Sequence, residues 1–228
     1  MATFVLVHGA WHGSWCWKRV RALLQRQGHE VFTPTLTGIG ERSHLLSPSV
    51  NLETHIQDVQ NLLRWEELHD VVLCGHSYGG MVVSGAVDRE AERIRSLVFL
   101  DAFVPESGQC LADFAPIAAD QLVDGWKCPP ITAETFGVNL TDRAWVDSQC
   151  TLQSVACFTQ PVVLAHGLAQ ITRIAYIYAS GWAGDESPFF AFYEKARSRS
   201  WVTTRIDCGH DVMIDRPEEL TRLLVQNI

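Results

Sequence analysis

The decisive local signal in this chain is a change of texture at residue 75. A run of core-type residues, Val71-Val72-Leu73-Cys74, meets Gly75-His76-Ser77-Tyr78-Gly79-Gly80, and an apolar, helix-compatible stretch follows at once. Gly-x-Ser-x-Gly by itself is weak, since at roughly 7% each for Gly and Ser it matches by chance in about one chain of this length in thirteen. Between a strand and a helix it carries far more. The serine then sits on a sharp strand-to-helix turn with strained backbone angles, and glycines two residues before and after remove Cβ atoms that would collide there.

The rest of the chain keeps the same rhythm. Strand candidates are Thr3–His8, Glu30–Pro34, Asp70–Gly75, Ser96–Leu100, Ile174–Ala179 and Trp201–Asp207, several of them apolar on both faces as strands buried between helices are. Helix candidates lie between them at Trp15–Gln27, Asn51–Trp65, Gly79–Ala91, Pro188–Ser198 and Pro217–Gln226. The alternation predicts an α/β fold, a mostly parallel six-stranded sheet with helices on both faces. From Pro105 to Gln170 no strand pattern stands out, and a structureless loop of that length is improbable in a compact domain. Residues 105–170 are therefore expected to be an inserted helical cap, with 1–104 and 171–228 forming the core.

Composition narrows the class. With 47% apolar and 19% charged residues the chain can bury a core, and it lacks the signature of disorder. The net charge of −8 comes without any basic run, which argues against nucleic acid or an anionic membrane as the main partner. The acidity is uneven: residues 105–170 hold seven acidic side chains against Lys127 and Arg143. That face is either simply solvated or disfavours anionic substrates. The opening MATFVLVHG has no basic n-region or cleavage site, so a cytoplasmic location is expected. The uncharged stretch from Ser148 to Thr172 is interrupted by Pro161, His166 and Gly167 and does not read as a membrane span. Seven cysteines without a CxxC pair suit reduced thiols, with a bridge among Cys110, Cys128, Cys150 and Cys157 left as the alternative.

Ser77 is the candidate nucleophile. The loop after the first strand, His8-Gly9-Ala10-Trp11-His12-Gly13, lies beside the turn in such an architecture. A backbone N–H there joins the N–H of the residue after the nucleophile in an oxyanion hole, which assigns Ala10 and Tyr78. His8, His12 and His76 are expected to brace these turns by hydrogen bonding. The base should follow the acid in sequence, and His210, in Cys208-Gly209-His210 just past the last strand, faces the same sheet edge as Ser77. Asp101, at the end of Ser-Leu-Val-Phe-Leu, is the favoured acid, because a carboxylate among such residues is costly unless paired. Asp185, in the loop after the next strand, is its rival.

On these residues the chain resembles the α/β-hydrolase superfamily, and within it the branch of plant methylesterases, hydroxynitrile lyases and bacterial esterases. The resemblance runs through FVLVHGAWHGSWCW, GHSYGGMV, LVFLDAFVP and GHDVM with its following Pro-Glu. It implies Ser77 as nucleophile, His210 as base, and Ala10 with Tyr78 as oxyanion donors. Plant members place the acid after the penultimate strand, where this chain has the poorly matching SGWAGDES; other branches place it where Asp101 stands. Lyases of this branch often replace the glycine after the first strand's histidine, and one group carries a lysine after the catalytic histidine. Here those positions are Gly9 and Asp211, which favours an esterase.

The resulting expectation is a serine carboxylesterase that needs no cofactor or metal. It would cleave a small apolar or aromatic ester through an acyl-enzyme on Ser77, with Trp11, Phe103 and Trp126 as pocket walls. The alternatives are lyase-type carbon–carbon cleavage with the same residues, or a non-catalytic binding protein on this fold. The expected partner is a small-molecule ester, and a homodimer is left open.

Overall fold

A computed structural model describes residues 1–228. Strands and helices alternate as β1 (Thr3–Val7), α1 (Lys18–Arg26), β2 (Glu30–Phe32), α2 (Leu52–Trp65), β3 (Val71–His76), α3 (Gly79–Glu90) and β4 (Ile94–Leu100). An intervening segment holds β5 (Lys127–Cys128), α4 (Arg143–Gln149), β6 (Gln153–Ser154) and α5 (Ala156–Thr159). The alternation then resumes with β7 (Ile174–Ala179), α6 (Phe190–Ser198), β8 (Val202–Ile206), α7 (Val212–Asp215) and α8 (Pro217–Val225).

Six strands form one parallel sheet in the order β2-β1-β3-β4-β7-β8. Their alternate side chains divide between two apolar layers. Val5, Val7, Leu73 and Phe99 pack with Ile56 and Val59 of α2 and Val82 and Val83 of α3. Phe4, Leu6, Cys74 and Val98 pack on the other face with Val20 and Leu24 of α1 and Leu220 and Leu224 of α8. Each fully buried Leu or Phe contributes ~1.5–3 kcal/mol, so burial on both faces holds the sheet. Asn51 stands just outside α2 as its cap, its side chain accepting from the Thr54 amide at 3.0 Å.

The chain leaves β1 towards one edge of the sheet and returns through β3 towards the other. The β1 and β3 exit loops are thus neighbours at the point where strand order reverses, the crevice where open α/β sheets bind ligands.

Between β4 and β7 the segment differs in one respect from the helical pattern expected of it. Lys127–Cys128 and Gln153–Ser154 pair as a small antiparallel sheet, too short to leave an alternating pattern in the sequence. All seven cysteines are free. No helix is long and apolar enough to cross a membrane.

Candidate active site

Ser77 occupies the turn between β3 and α3 with φ at 53°, in the left-handed region that a non-glycine residue adopts only under constraint. The constraint is visible. The Ser77 amide donates to the Leu100 carbonyl at 3.2 Å, and its carbonyl accepts from the amides of Gly80 and Phe103 at 3.0 and 3.2 Å. The flanking glycines are required by close approach. A Cβ on Gly75 would lie 2.7 Å from the Gly79 carbonyl oxygen, and one on Gly79 would lie 2.7 Å from that of His8.

His210 follows β8 on a loop, its amide donating to the Phe136 carbonyl at 2.8 Å. Its Nδ1 lies 2.6 Å from Oδ2 of Asp101, which is fully buried at the end of β4 with φ at 40°. The other oxygen of Asp101 accepts from the Ala179 amide at 3.1 Å, so the carboxylate is held at both oxygens. The His210 ring is stacked on Phe189 at 4.9 Å and flanked by Phe136 and Trp182. Burial among these rings lowers its pKa to about 4, which keeps the imidazole neutral at pH 7, as a base must be. Burial pushes the Asp101 carboxyl upward, while the Ala179 amide and the neighbouring Trp182 indole favour the charged form.

The rival carboxylate is elsewhere. Asp185 is exposed and pairs with Arg205 at 3.1 Å, with no contact to His210.

Ser77 and His210 meet in a cavity of about 700 Å³ under residues 105–170. Trp11 and Phe103 line it, with Leu111, Ile131, Phe136 and Phe158 among the apolar walls. Trp126 stands outside it, with the Lys127 ammonium over its indole at 5.0 Å from the ring centre, while Cys128 two residues on lines the cavity. No Asp, Glu, Lys or Arg faces the cavity, whose polar side chains are Ser77, His210, Gln121 and Thr135. A second, shallower groove of about 620 Å³ between Pro105 and Trp201 includes neither Ser77 nor His210.

The amides of Ala10 and Tyr78 donate to no acceptor within the protein, and Ala10 itself borders the cavity. Ser77 Oγ also makes no hydrogen bond here; such contacts are commonly long in unliganded sites and tighten with substrate. The Tyr78 side chain is anchored by His55, whose Nδ1 accepts from the phenol at 2.9 Å while Nε2 donates to the Thr37 carbonyl at 2.8 Å.

Around this site the other histidines hydrogen-bond within the protein. His8 donates from Nδ1 to the Gly9 carbonyl at 2.8 Å and accepts at Nε2 from the Leu36 amide at 3.0 Å. His76 donates from Nε2 to the His210 carbonyl at 3.1 Å. His12 contacts Asp211, the residue after His210, at 3.1 Å. That pair joins two loops far apart in sequence, so nothing local announces it.

A strained serine at a strand-to-helix turn shares its cavity with an imidazole paired with a buried carboxylate, a set of groups capable of nucleophilic and acid–base chemistry. Residues 4–223 match the alpha/beta hydrolase family, and the chain belongs to it. It is 46% identical over 98% of both chains to a carbendazim hydrolyzing esterase of Nocardioides sp. (strain SG-4G). It is 28% identical to methylesterase 1 of Arabidopsis thaliana, over 75% of this chain and 61% of that one. A Paenibacillus protein, described as an extracellular alpha/beta-hydrolase, superposes with a TM-score of 0.86 at 24% identity, covering 100% of this chain and 99% of that one. Polyneuridine aldehyde esterase superposes with a TM-score of 0.77 at 20% identity over 99% and 98%. The protein is a carboxylic ester hydrolase, acting on small-molecule esters.

Proposed function

We propose that Ser77, His210 and Asp101 form the catalytic triad and that residues 105–170 form the cap over it. The observation that carries this reading is the 2.6 Å contact of His210 Nδ1 with Asp101 at the base of the cavity that also holds Ser77. Asp101 fixes Nδ1–H, which leaves Nε2 as the proton acceptor. Ser77 Oγ attacks the ester carbonyl and its proton passes to His210 Nε2. The amides of Ala10 and Tyr78 receive the oxyanion, aided by the N-terminus of α3. The imidazolium protonates the departing alcohol; neutral again, it activates water to release the acyl group from Ser77.

The cavity supports an uncharged acyl and alcohol portion with apolar or aromatic surface, because a charged group would enter without a partner. Carbendazim, a methyl carbamate on a flat heteroaromatic ring, meets that description and is the first compound to assay beside p-nitrophenyl acetate. Gly9 bears on the lyase alternative: a Cβ there would lie 2.9 Å from Cβ of Ser77, so the substitution common in lyases has no room. An organophosphonate label followed by peptide mapping tests the assignment. The expected result is modification of Ser77 alone and loss of turnover in Ser77→Ala; label elsewhere, or normal turnover by that variant, would overturn it.

A further inference from the structure

The peptide unit between Ala10 and Trp11 is held at both edges. Its carbonyl, that of Ala10, lies 2.7 Å from Nδ1 of His12. Its amide, that of Trp11, donates to Oε1 of Gln153 at 2.9 Å. Gln153 is fully buried in β6, so it reaches this peptide from the segment over the cavity. The neighbouring strand β5 holds the same residue again, its Cys128 carbonyl accepting from the Trp11 indole at 3.2 Å. The Thr151 amide donates to the Trp11 carbonyl at 3.0 Å.

The need for so many ties is written in the backbone. Trp11 has φ at 63°, a conformation that costs a bulky side chain of order 1–3 kcal/mol and persists only when its surroundings over-determine it. The tie through His12 is also secured from behind. Nδ1 faces a carbonyl and Nε2 faces the carboxylate of Asp211 at 3.1 Å, so both nitrogens act as donors and the ring is an imidazolium. Burial opposes that charge, and the Asp211 carboxylate prevails, raising His12 above its ordinary value.

We propose that His12 and Gln153 are positioning residues, the two jaws of a clamp that fixes the Ala10–Trp11 peptide and so, with His8 holding the Gly9 carbonyl at 2.8 Å, aims the Ala10 amide of the preceding peptide at the developing oxyanion. The proposal rests on the reading of Ser77 as nucleophile and Ala10 as oxyanion donor. It goes further in making the segment over the cavity a part of the catalytic geometry: seating β6 sets the oxyanion loop. A donor that is mis-aimed is not lost outright, so the effect should fall below the 10²–10³-fold typical of removing one.

The amide nitrogen of Asn falls near Nδ1 of a histidine, and that of Gln near Nε2, which yields a discriminating pair. His12→Asn can still donate to the Ala10 carbonyl but leaves Asp211; His12→Gln can reach Asp211 but leaves Ala10. With p-nitrophenyl acetate, His12→Gln and Gln153→Met are expected to lower kcat by about 10- to 100-fold with KM within about twofold. His12→Asn should recover kcat to within about threefold of the wild type, although it is the variant that abandons the ion pair. Affinity for a trifluoromethyl ketone, which forms a tetrahedral oxyanion on the serine, should fall in parallel with kcat for each variant. A purely structural role predicts the reverse order, with His12→Asn the more damaged, and that result would overturn the clamp. So would a rise in KM at constant kcat. If His12→Gln does not fold, Gln153→Met carries the test alone through kcat and ketone affinity. Ser77→Ala separates the levels: if it stays active, the serine reading and the clamp fall together; if it is inactive while His12→Gln and Gln153→Met match the wild type, only the clamp falls.

Discussion

Two buried histidine–carboxylate pairs lie side by side in this protein, and consecutive residues belong to different ones. His210 pairs with Asp101 at 2.6 Å, and Asp211 pairs with His12 at 3.1 Å. The residue types, burial and distances are alike, yet only one pair suits acid–base chemistry. In His210 one nitrogen is held and Nε2 has no protein partner, so the ring borders the cavity with a lone pair to offer. In His12 both nitrogens are committed to acceptors and the ring cannot take a proton from anything. The chemistry of a buried pair is therefore decided by what faces the far nitrogen. Asp211 shows the same effect from the carboxylate's side. Burial alone would raise it, but the His12 charge overcomes this and leaves its carboxyl below the ordinary range.

The largest expected effect breaks the first pair. In Asp101→Asn the fixed Ala179 N–H selects the amide oxygen, so the amide nitrogen faces His210 and forces the proton onto Nε2. That is the wrong tautomer to accept from Ser77, and kcat should fall by about 10³–10⁴ with little change in unfolding temperature. Retention of even a tenth of wild-type kcat would remove Asp101 from the proposed triad.

Breaking the second pair should reverse the balance between rate and stability. Asp211→Ala leaves a buried imidazolium without its counter-charge, a loss of about 3–5 kcal/mol in urea unfolding at pH 6. Its kcat should drop less than tenfold, because His12 can still donate to Ala10. Asp211→Asn, whose amide can donate to a neutral Nε2, should lose less stability than Asp211→Ala. A stability change below about 0.5 kcal/mol for Asp211→Ala would show that the pair does not hold the loops together.

Titration sharpens the contrast further. Burial lowers His8 to about 3 and His55 and His210 to about 4, and holds His76 well below its ordinary value. Below pH 6.5 the unfolded chain protonates these four and the folded one does not, so stability falls with pH by up to about 1.4 kcal/mol per unit for each. His12 acts in the opposite sense: its contribution is complete below pH 6.5 and is lost as pH rises through its raised value. The raised Asp101 carboxyl also favours low pH. The four buried depressed rings, joined in the same sense by the lowered His29, outweigh the two raised groups, so the unfolding temperature should drop between pH 7 and pH 5. A level or rising profile over that range would contradict the neutral state assigned to the four rings.

Those pairs also mark how far the sequence could be read. The apolar runs of β1, β3, β4 and β7 appear directly in the residues, and the glycines at 75 and 79 announce the serine turn because steric exclusion is local. His210 and Asp101 were accessible through topology, since parallel strands bring their exit loops to one edge. What was hidden depends on side chains meeting across long separations. Gln153 looks like any polar residue in an uncharged stretch, and only the seating of β6 on the first loop gives it Trp11 as a partner. Asp211 stands next to His210 in sequence with nothing local to name His12 as its partner, although Val212, Met213 and Ile214 after it are fully buried. Trp126 carried the opposite error: an aromatic near the expected pocket that packs against Lys127 outside it.

The smallest expected effect belongs to the carboxylate outside both pairs. Asp185 follows β7, where plant relatives of the resembled branch keep their acid, yet here it faces solvent with 62% of its side chain exposed and meets Arg205, itself 48% exposed. An exposed pair of this kind is worth ~0–1 kcal/mol and is screened by salt. Asp185→Asn should leave kcat within twofold and stability within about 0.5 kcal/mol, and adding salt should erase even that difference. A drop in rate near that of Asp101→Asn would mean that the loop after β7 swings inward during turnover and presents a different acid to His210. The 2.6 Å contact makes that exchange costly: Asp101 would have to give up His210 Nδ1 and remain buried with its charge supported only by the Ala179 amide and the neighbouring Trp182 indole.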